Sequence, residues 1–382
     1  MPVGYATVVL LVAGCVAAAL SPPRHPPPLA RAAWWAGFLV AEIPAVVAVT
    51  LVVVSALALA GGAAGDPVGL TALALAAATV AGLGLLAWRG LLAGPAVDAA
   101  LDAAGFPPAA APAGRRNLAR ALLSPWPRRP RGVTRVVGLR YGDAGTRNLL
   151  DLYHRRDRPA GAPVLIHLHA GAFRGGRRSR EALPLLYRLA GLGWVCVSAT
   201  YRVTPPARFP DHLVDVKKVL AWVREHAAWY GGDPAVVYLA GSSAGAHLAA
   251  MAALTAGEPG LQPGFEAVDT SVSGVVCLYG FYGAADPAAP LPSSPEDHLR
   301  PDRPPFLLVH GDLDSLVPVG GARRFAARLR ATSDRPVAYA ELPGAQHTFD
   351  LVASPRFEAV VDGVERFAAW TRPHVPRWTT PD

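Results

Sequence analysis

The chain has 382 residues, 52% of them hydrophobic and 17% charged, with a formal net charge of +8. That length allows one large α/β domain plus a further region, and the composition suits a membrane-attached chain better than a wholly soluble one. Three cysteines exclude a disulfide framework. With no metal-ligand cluster, dinucleotide glycine fingerprint or phosphate-binding loop, neither a cofactor nor a metal is expected.

Residues 1–95 are almost devoid of charge and read as a transmembrane helical region. Apolar segments at 3–20, 34–60 and 68–88 each approach or exceed the ~20 residues that cross a ~30 Å hydrocarbon core. Trp34 and Trp35 open the second and Trp88 closes the third, as expected of rings at a bilayer interface. Glu42 and Pro44 interrupt the second, which is tolerable if the span proper begins near Ile43 or if Glu42 faces other helices. Val12-Ala13-Gly14-Cys15 resembles a lipoprotein cleavage box, but nothing basic precedes it and the apolar run continues through Leu20. The first loop carries Arg24 and Arg31, the second only Asp66, and the third connection is Arg-rich from Arg89 onward. The positive-inside rule therefore places the N-terminus outside and everything after residue 89 on the cytoplasmic side.

Residues 96–132, rich in Ala, Pro and Arg, read as a linker along or away from the membrane surface. Its arginines, Arg115, Arg116, Arg120, Arg128, Arg129 and Arg131 among them, suit anionic lipid. They lack the interleaved aromatics of a nucleic-acid surface, so membrane lipids are the expected partner and nucleic acid is not.

From residue 133 to 382 strands and helices alternate, which predicts a mostly parallel sheet with helices on both faces. RVVGLRY and NLLDLYHR read as an antiparallel opening pair. APVLIHLH, a helix near 180–190, WVCVSA, a helix over 211–229 and VVYLAG follow. After a helix beyond Ser243 come VSGVVCLYG, PFLLVHG, a helix over 320–331, PVAYAEL and a closing helix over 355–371. Cys196 and Cys277 lie in apolar strand-like runs and read as buried thiols.

Gly241-Ser242-Ser243-Ala244-Gly245 sits between the strand VVYLA and an Ala/Leu-rich helix. A serine in such a tight turn is forced into a strained conformation with its hydroxyl above the sheet, the arrangement of a nucleophile elbow. Alone, the pentapeptide reads equally well as a Gly/Ser-rich turn without chemistry. A serine needs a base, normally a histidine oriented by a carboxylate. Of eleven histidines, His298, His310, His347 and His374 lie well downstream. His310 ends a strand, His374 is in a Pro-rich tail, and His347 occupies the loop PGAQHTF between the last strand and last helix, a place where function concentrates. For the acid, Asp312 and Asp314 after the strand FLLVH are equally plausible on chemistry.

The order of these motifs resembles the α/β-hydrolase fold, specifically its hormone-sensitive-lipase-like branch with carboxylesterases and feruloyl-esterase-like proteins, over roughly residues 133–371. The pattern His-Gly-x-x-Asp-x-x-Val-Pro over 310–318 resembles the acid loop of these esterases and falls on Asp314. His169-Ala170-Gly171-Ala172-Phe173 resembles their His-Gly-Gly-Gly/Ala oxyanion motif, which implies Gly171 and Ala172 as N–H donors beside Ala244, with His169 organising the loop. Ala170 replaces a glycine there; if the position needs φ > 0 the methyl costs ~1 kcal/mol. Tyr201-Arg202, Asp215-Val216-Lys217 and Tyr230-Gly231-Gly232-Asp233-Pro234 extend the likeness.

The resemblance implies a serine hydrolase that cleaves carboxylic esters through Ser243, Asp314 and His347, and the apolar N-terminal region adds the expectation that it is membrane-anchored and acts on small-molecule or lipid-derived esters. Phe173, Phe281 and Tyr282 are candidates for an apolar acyl site or for ordinary core. The alternatives are another acyl hydrolase, such as a peptidase, amidase or thioesterase, and an inactive membrane-tethered scaffold.

Overall fold

A computed structural model of the chain describes residues 2–108 and 118–372; Arg115, Arg116 and His374 lie outside them. The N-terminal region is helical: α1 (Pro2–Leu20), α2 (Pro27–Glu42), α3 (Pro44–Ala60), α4 (Pro67–Leu91), α5 (Ala93–Ala103) and α6 (Leu118–Leu123). Among the described residues, α1 and the helix starting at Pro67 are long and apolar enough to cross a membrane. The segment 34–60, expected as one span, is not one straight helix. α2 and α3 meet at an angle of 88°. Pro44 supplies the reason, since it has no N–H for the preceding turn and is pre-set to start a new helix at its first position. α1, α3 and α4 pack around Val9, Val16, Leu51, Ala72, Ala76 and Leu83, and Tyr5 Oη donates across to Ser55 Oγ at 2.8 Å.

α2 turns instead toward the C-terminal domain. Glu42 is buried against Arg356, whose guanidinium it pairs with, and Glu42 Oε2 accepts from Ser354 Oγ at 2.6 Å. A buried ion pair contributes little net, but removing one partner strands the other charge. Glu42→Ala should therefore destabilise the full-length chain by about 3–5 kcal/mol, read as a lowered thermal midpoint in detergent. An unchanged midpoint would dismiss the pair as a structural tie.

The expected linker also begins later than residue 96. α5 is a helix packed on the domain: Val97, Leu101 and Phe106 join its core, and Arg366 donates to Pro107 O at 2.7 Å and Phe106 O at 2.5 Å. Alanines and valine at helical spacing bury one face of α5 there, a pattern that composition alone reads as low-complexity chain.

The domain itself alternates β1 (Val133–Arg140), β2 (Leu149–Arg155), β3 (Ala162–Leu168), α7 (Leu183–Gly191), β4 (Val195–Ala199), α8 (Asp211–His226), β5 (Gly232–Ser242), α9 (Ala244–Leu254), β6 (Gly274–Leu278), β7 (Phe306–Gly311), α10 (Gly320–Thr332), β8 (Val337–Leu342) and α11 (Pro355–Thr371). The sheet order is β1-β2-β4-β3-β5-β6-β7-β8. β2 runs antiparallel to β1 and β4, and the remaining pairs are parallel. Central strands covered on both faces read as near-continuous apolar runs. Thus Val164 and Ile166 of β3 join one core with residues of α8, α9 and α10, whereas Leu165 joins the other with residues of α5, α7 and α11. α9 is buried along its whole length, which accounts for its Ala-rich composition. Parallel strands ending at one edge bring the loops after β3, β5, β7 and β8 together there, where open α/β sheets bind ligands.

Candidate active site

Ser243 follows β5 directly and has φ +55° and ψ −115°. Such a conformation is unfavourable for a residue with a Cβ and persists only where its surroundings dictate it. Two glycines dictate it here. A Cβ on Gly241 would lie 2.2 Å from Gly245 O, and one on Gly245 would lie 2.1 Å from Leu168 O. The second contact seats the first turn of α9 against the end of β3, beside the His169–Phe173 loop.

His347 Nε2 lies 3.0 Å from Ser243 Oγ, and His347 Nδ1 lies 2.6 Å from Asp314 Oδ2. A carboxylate only accepts, so Nδ1 carries the proton and Nε2 is free to accept from the serine hydroxyl. Asp314 Oδ1 accepts from Leu316 N at 2.9 Å and Val317 N at 2.8 Å. His310 Nε2 adds a contact at 3.3 Å to Oδ2. Burial would raise the Asp314 carboxyl; the charge of His347 and the hydrogen bonds from His310 and His347 outweigh it and hold the group well below the usual carboxylate range. Asp312, equal to Asp314 on chemistry, instead accepts from Gly344 N at 2.7 Å and so ties down the histidine loop. Gln346 joins the two loops: its Oε1 accepts from Ser315 N and from His347 N, each at 3.0 Å.

The residues expected as oxyanion donors are Ala244, at the start of α9, and Gly171 and Ala172 in the loop that follows β3, against whose first residues Gly245 is packed. Gly171 has φ +136°, and a Cβ there would meet Gly175 O at 2.1 Å. The expected strain at Ala170 is absent, because its φ is not positive; the left-handed residues of this loop are Ala172 (φ +51°) and Phe173 (φ +59°). Among the described residues, the N–H groups of Gly171, Ala172 and Ala244 have no protein acceptor. His169, expected to organise the loop, is stacked on Tyr201 at 4.3 Å, with Nδ1 bonded to Ala170 O at 2.7 Å. Tyr201 Oη donates to His169 O at 2.8 Å. Burial lowers His169 to about 4, so it is neutral at pH 7. Gly171→Ala should lower kcat for ester hydrolysis by about 10²–10³-fold; retained kcat would remove this loop from the chemistry.

Phe173 and Phe281 both pack on His247 of α9, at 5.2 and 5.9 Å. Tyr282, the third candidate for the acyl site, is core: it is buried and stacked on Phe325 at 4.3 Å.

Sequence reasoning missed a buried polar group beneath the elbow. Ser242 Oγ donates to Asp350 Oδ2 at 2.6 Å and contacts His167 Nε2 at 3.0 Å. Tyr279 Oη donates to Asp350 Oδ1 at 2.5 Å, and its ring lies edge-on to His347 at 4.5 Å. Burial raises the Asp350 carboxyl, and burial together with Asp350 pushes nearby Glu181 up to about 8. The only sequence signal for Asp350 is its place three residues after His347. No group of three His, Cys, Asp or Glu among the described residues is arranged to hold a metal ion.

The sheet order, with a serine in a left-handed turn after β5, an acid after β7 and a histidine after β8, defines the α/β-hydrolase fold. Residues 150–291 match the BD-FAE family model, and residues 281–375 match that of the prolyl oligopeptidase family. The chain is 42% identical over 256 residues to the probable carboxylic ester hydrolase LipM of Mycobacterium tuberculosis, covering 60% of this chain and 59% of that one. It is 39% identical to esterase LipQ of the same organism, covering 66% of each chain. It thus spans less than two thirds of the length of these relatives. Esterase 2 of Thermogutta terrifontis superposes with a TM-score of 0.55 at 22% identity, over 66% of this chain and 99% of that structure, and supports the fold.

Proposed function

We propose that the protein is a membrane-anchored serine hydrolase that cleaves carboxylic esters through Ser243, His347 and Asp314. The observation that carries this reading is the continuous hydrogen-bonded line from Ser243 Oγ through the His347 ring to Asp314, at 3.0 and 2.6 Å. In the first half-reaction His347 Nε2 takes the serine proton as Oγ attacks the ester carbonyl carbon. The carbonyl oxygen becomes an oxyanion facing the N–H groups of Gly171, Ala172 and Ala244. Collapse breaks the bond to the alcohol oxygen, which leaves with the proton from His347. Water, deprotonated by His347, then releases the acid from the acyl-serine.

For location, the reading is that α1, α3 and α4 cross the bilayer with the N-terminus outside, and that the domain lies on the cytoplasmic side. The wide exposure of Leu11 and Leu57, 67% and 69%, supports lipid contact. A lipid-derived or otherwise apolar ester, reaching the site from the bilayer, suits that placement. One observation favours a second reading: the prolyl oligopeptidase match over residues 281–375 includes the histidine and acid loops and suits amide or peptide substrates.

The full-length chain in detergent should hydrolyse p-nitrophenyl esters faster than the matching p-nitroanilides, and a fluorophosphonate probe should label Ser243. Faster anilide cleavage would favour the second reading. No labelling and no turnover would leave an inactive scaffold.

A further inference from the structure

The base is followed by a strained residue. Thr348 has φ +66°, a conformation that is a genuine outlier for a β-branched side chain and persists only when its surroundings over-determine it. Thr348 Oγ1 donates to the His347 carbonyl at 2.5 Å. The other restraint comes from over 300 residues away. The indole Nε1–H of Trp34, on the buried face of α2, reaches both His347 O at 3.2 Å and Thr348 Oγ1 at 3.3 Å. Trp34 is itself fixed by stacking on Phe38 at 5.2 Å.

The same stretch of chain holds the acid loop. Ser315 Oγ donates to Ala30 O at 3.1 Å, and Arg24 donates to Asp312 O at 3.0 Å. Ser315 also accepts from Gln346 Nε2 at 2.9 Å, which leads back to the His347 amide. Both loops that present the acid and the base therefore lean on α2, an element outside the hydrolase domain.

We propose that Trp34 is a positioning residue for His347: its indole N–H holds the strained His347–Thr348 turn and so keeps the imidazole between Ser243 and Asp314. The proposal rests on the Ser243–His347–Asp314 reading. Small misplacements of a catalytic group cost rate rather than substrate binding. Loss of the N–H should accordingly lower kcat and leave KM unchanged.

The test is a double-mutant cycle in the full-length chain in detergent, with Trp34→Phe, Thr348→Gly and the pair. Phenylalanine keeps an aromatic ring on Phe38 but has no N–H. Glycine adopts positive φ freely, so its turn needs no clamp. Trp34→Phe should lower kcat for a p-nitrophenyl ester by about 10–100-fold, with KM unchanged, and should speed amide hydrogen exchange over residues 343–350. In the Thr348→Gly background the same change should cost much less. An equal cost in both backgrounds would reduce Trp34 to general packing and overturn the proposal, as would wild-type kcat in Trp34→Phe.

Should Trp34→Phe fail to fold, the wild-type indole proton decides: slow exchange supports the clamp and exchange at the solvent rate overturns it. A wild-type chain that turns over no ester, with the indole still protected and residues 343–350 loosened in Trp34→Phe, would sink the esterase reading and leave the clamp standing. An active, labelled wild type with a silent Trp34→Phe would sink the clamp alone.

Discussion

Ser243→Ala is expected to reduce ester hydrolysis by about 10⁶-fold in kcat while leaving the chain folded. The two effects separate because they differ so much in size. The substitution removes one hydrogen bond, to His347 at 3.0 Å, and such bonds contribute about 0.5–1.5 kcal/mol to stability. Alanine meets the same backbone geometry at φ +55° as serine does, so the elbow itself should survive. Loss of the nucleophile removes the covalent route, and a 10⁶-fold drop corresponds to about 8 kcal/mol of transition-state stabilisation. The measurement is kcat with p-nitrophenyl esters, beside thermal unfolding and fluorophosphonate labelling of both proteins. A variant that folds and retains a tenth of the wild-type rate would exclude Ser243 as the nucleophile.

The parts of this fold that were legible in the sequence are those written in local pattern and chain order. Every strand from APVLIHLH to PVAYAEL falls where an apolar run bounded by turn residues was read, and the closing helix spans Pro355–Thr371 as expected. The elbow was legible only in company: alone the pentapeptide reads equally well as a plain turn, and the ordered oxyanion, acid and histidine loops around it are what single out Ser243. Choosing between Asp312 and Asp314 was not possible from chemistry, since both lie in one loop. The acid-loop resemblance favours Asp314, and the folded loop gives the physical difference: Asp312 faces Gly344 N while Asp314 faces His347.

The role of α2 was hidden for a related reason. Hydropathy merges residues 34–60 into one run, because the inward face of α2 is apolar against protein just as α3 is apolar outward. Glu42 was the visible irregularity. Its partner, Arg356, is over 300 residues further along the chain, and no periodicity could connect them. Trp34 likewise reads as an interfacial aromatic until its indole is found on the His347 carbonyl. At Ala170 the expectation located strain in the right loop but two residues early.

Asp314→Asn should lower kcat by about 10⁴-fold with little change in the surrounding structure. The reason lies in how the carboxylate divides its oxygens. Oδ1 takes the amide protons of Leu316 and Val317, and Oδ2 takes that of His347 Nδ1. An asparagine that keeps its oxygen on the two amides presents its NH₂ group to Nδ1. The imidazole must then accept there and carry its proton on Nε2, where it cannot take one from Ser243. Flipping the side chain would set NH₂ against two N–H donors, so the unproductive tautomer is the one favoured. The pH dependence follows from the lowered carboxyl. A group whose folded value lies below its unfolded value contributes stability above the unfolded value, near the ordinary 3.8, and loses it as pH falls through the folded one. The difference in thermal midpoint between wild type and Asp314→Asn should therefore be flat at neutral pH and narrow only below that value. Activity of Asp314→Asn within tenfold of wild type would mean that another group orients the base.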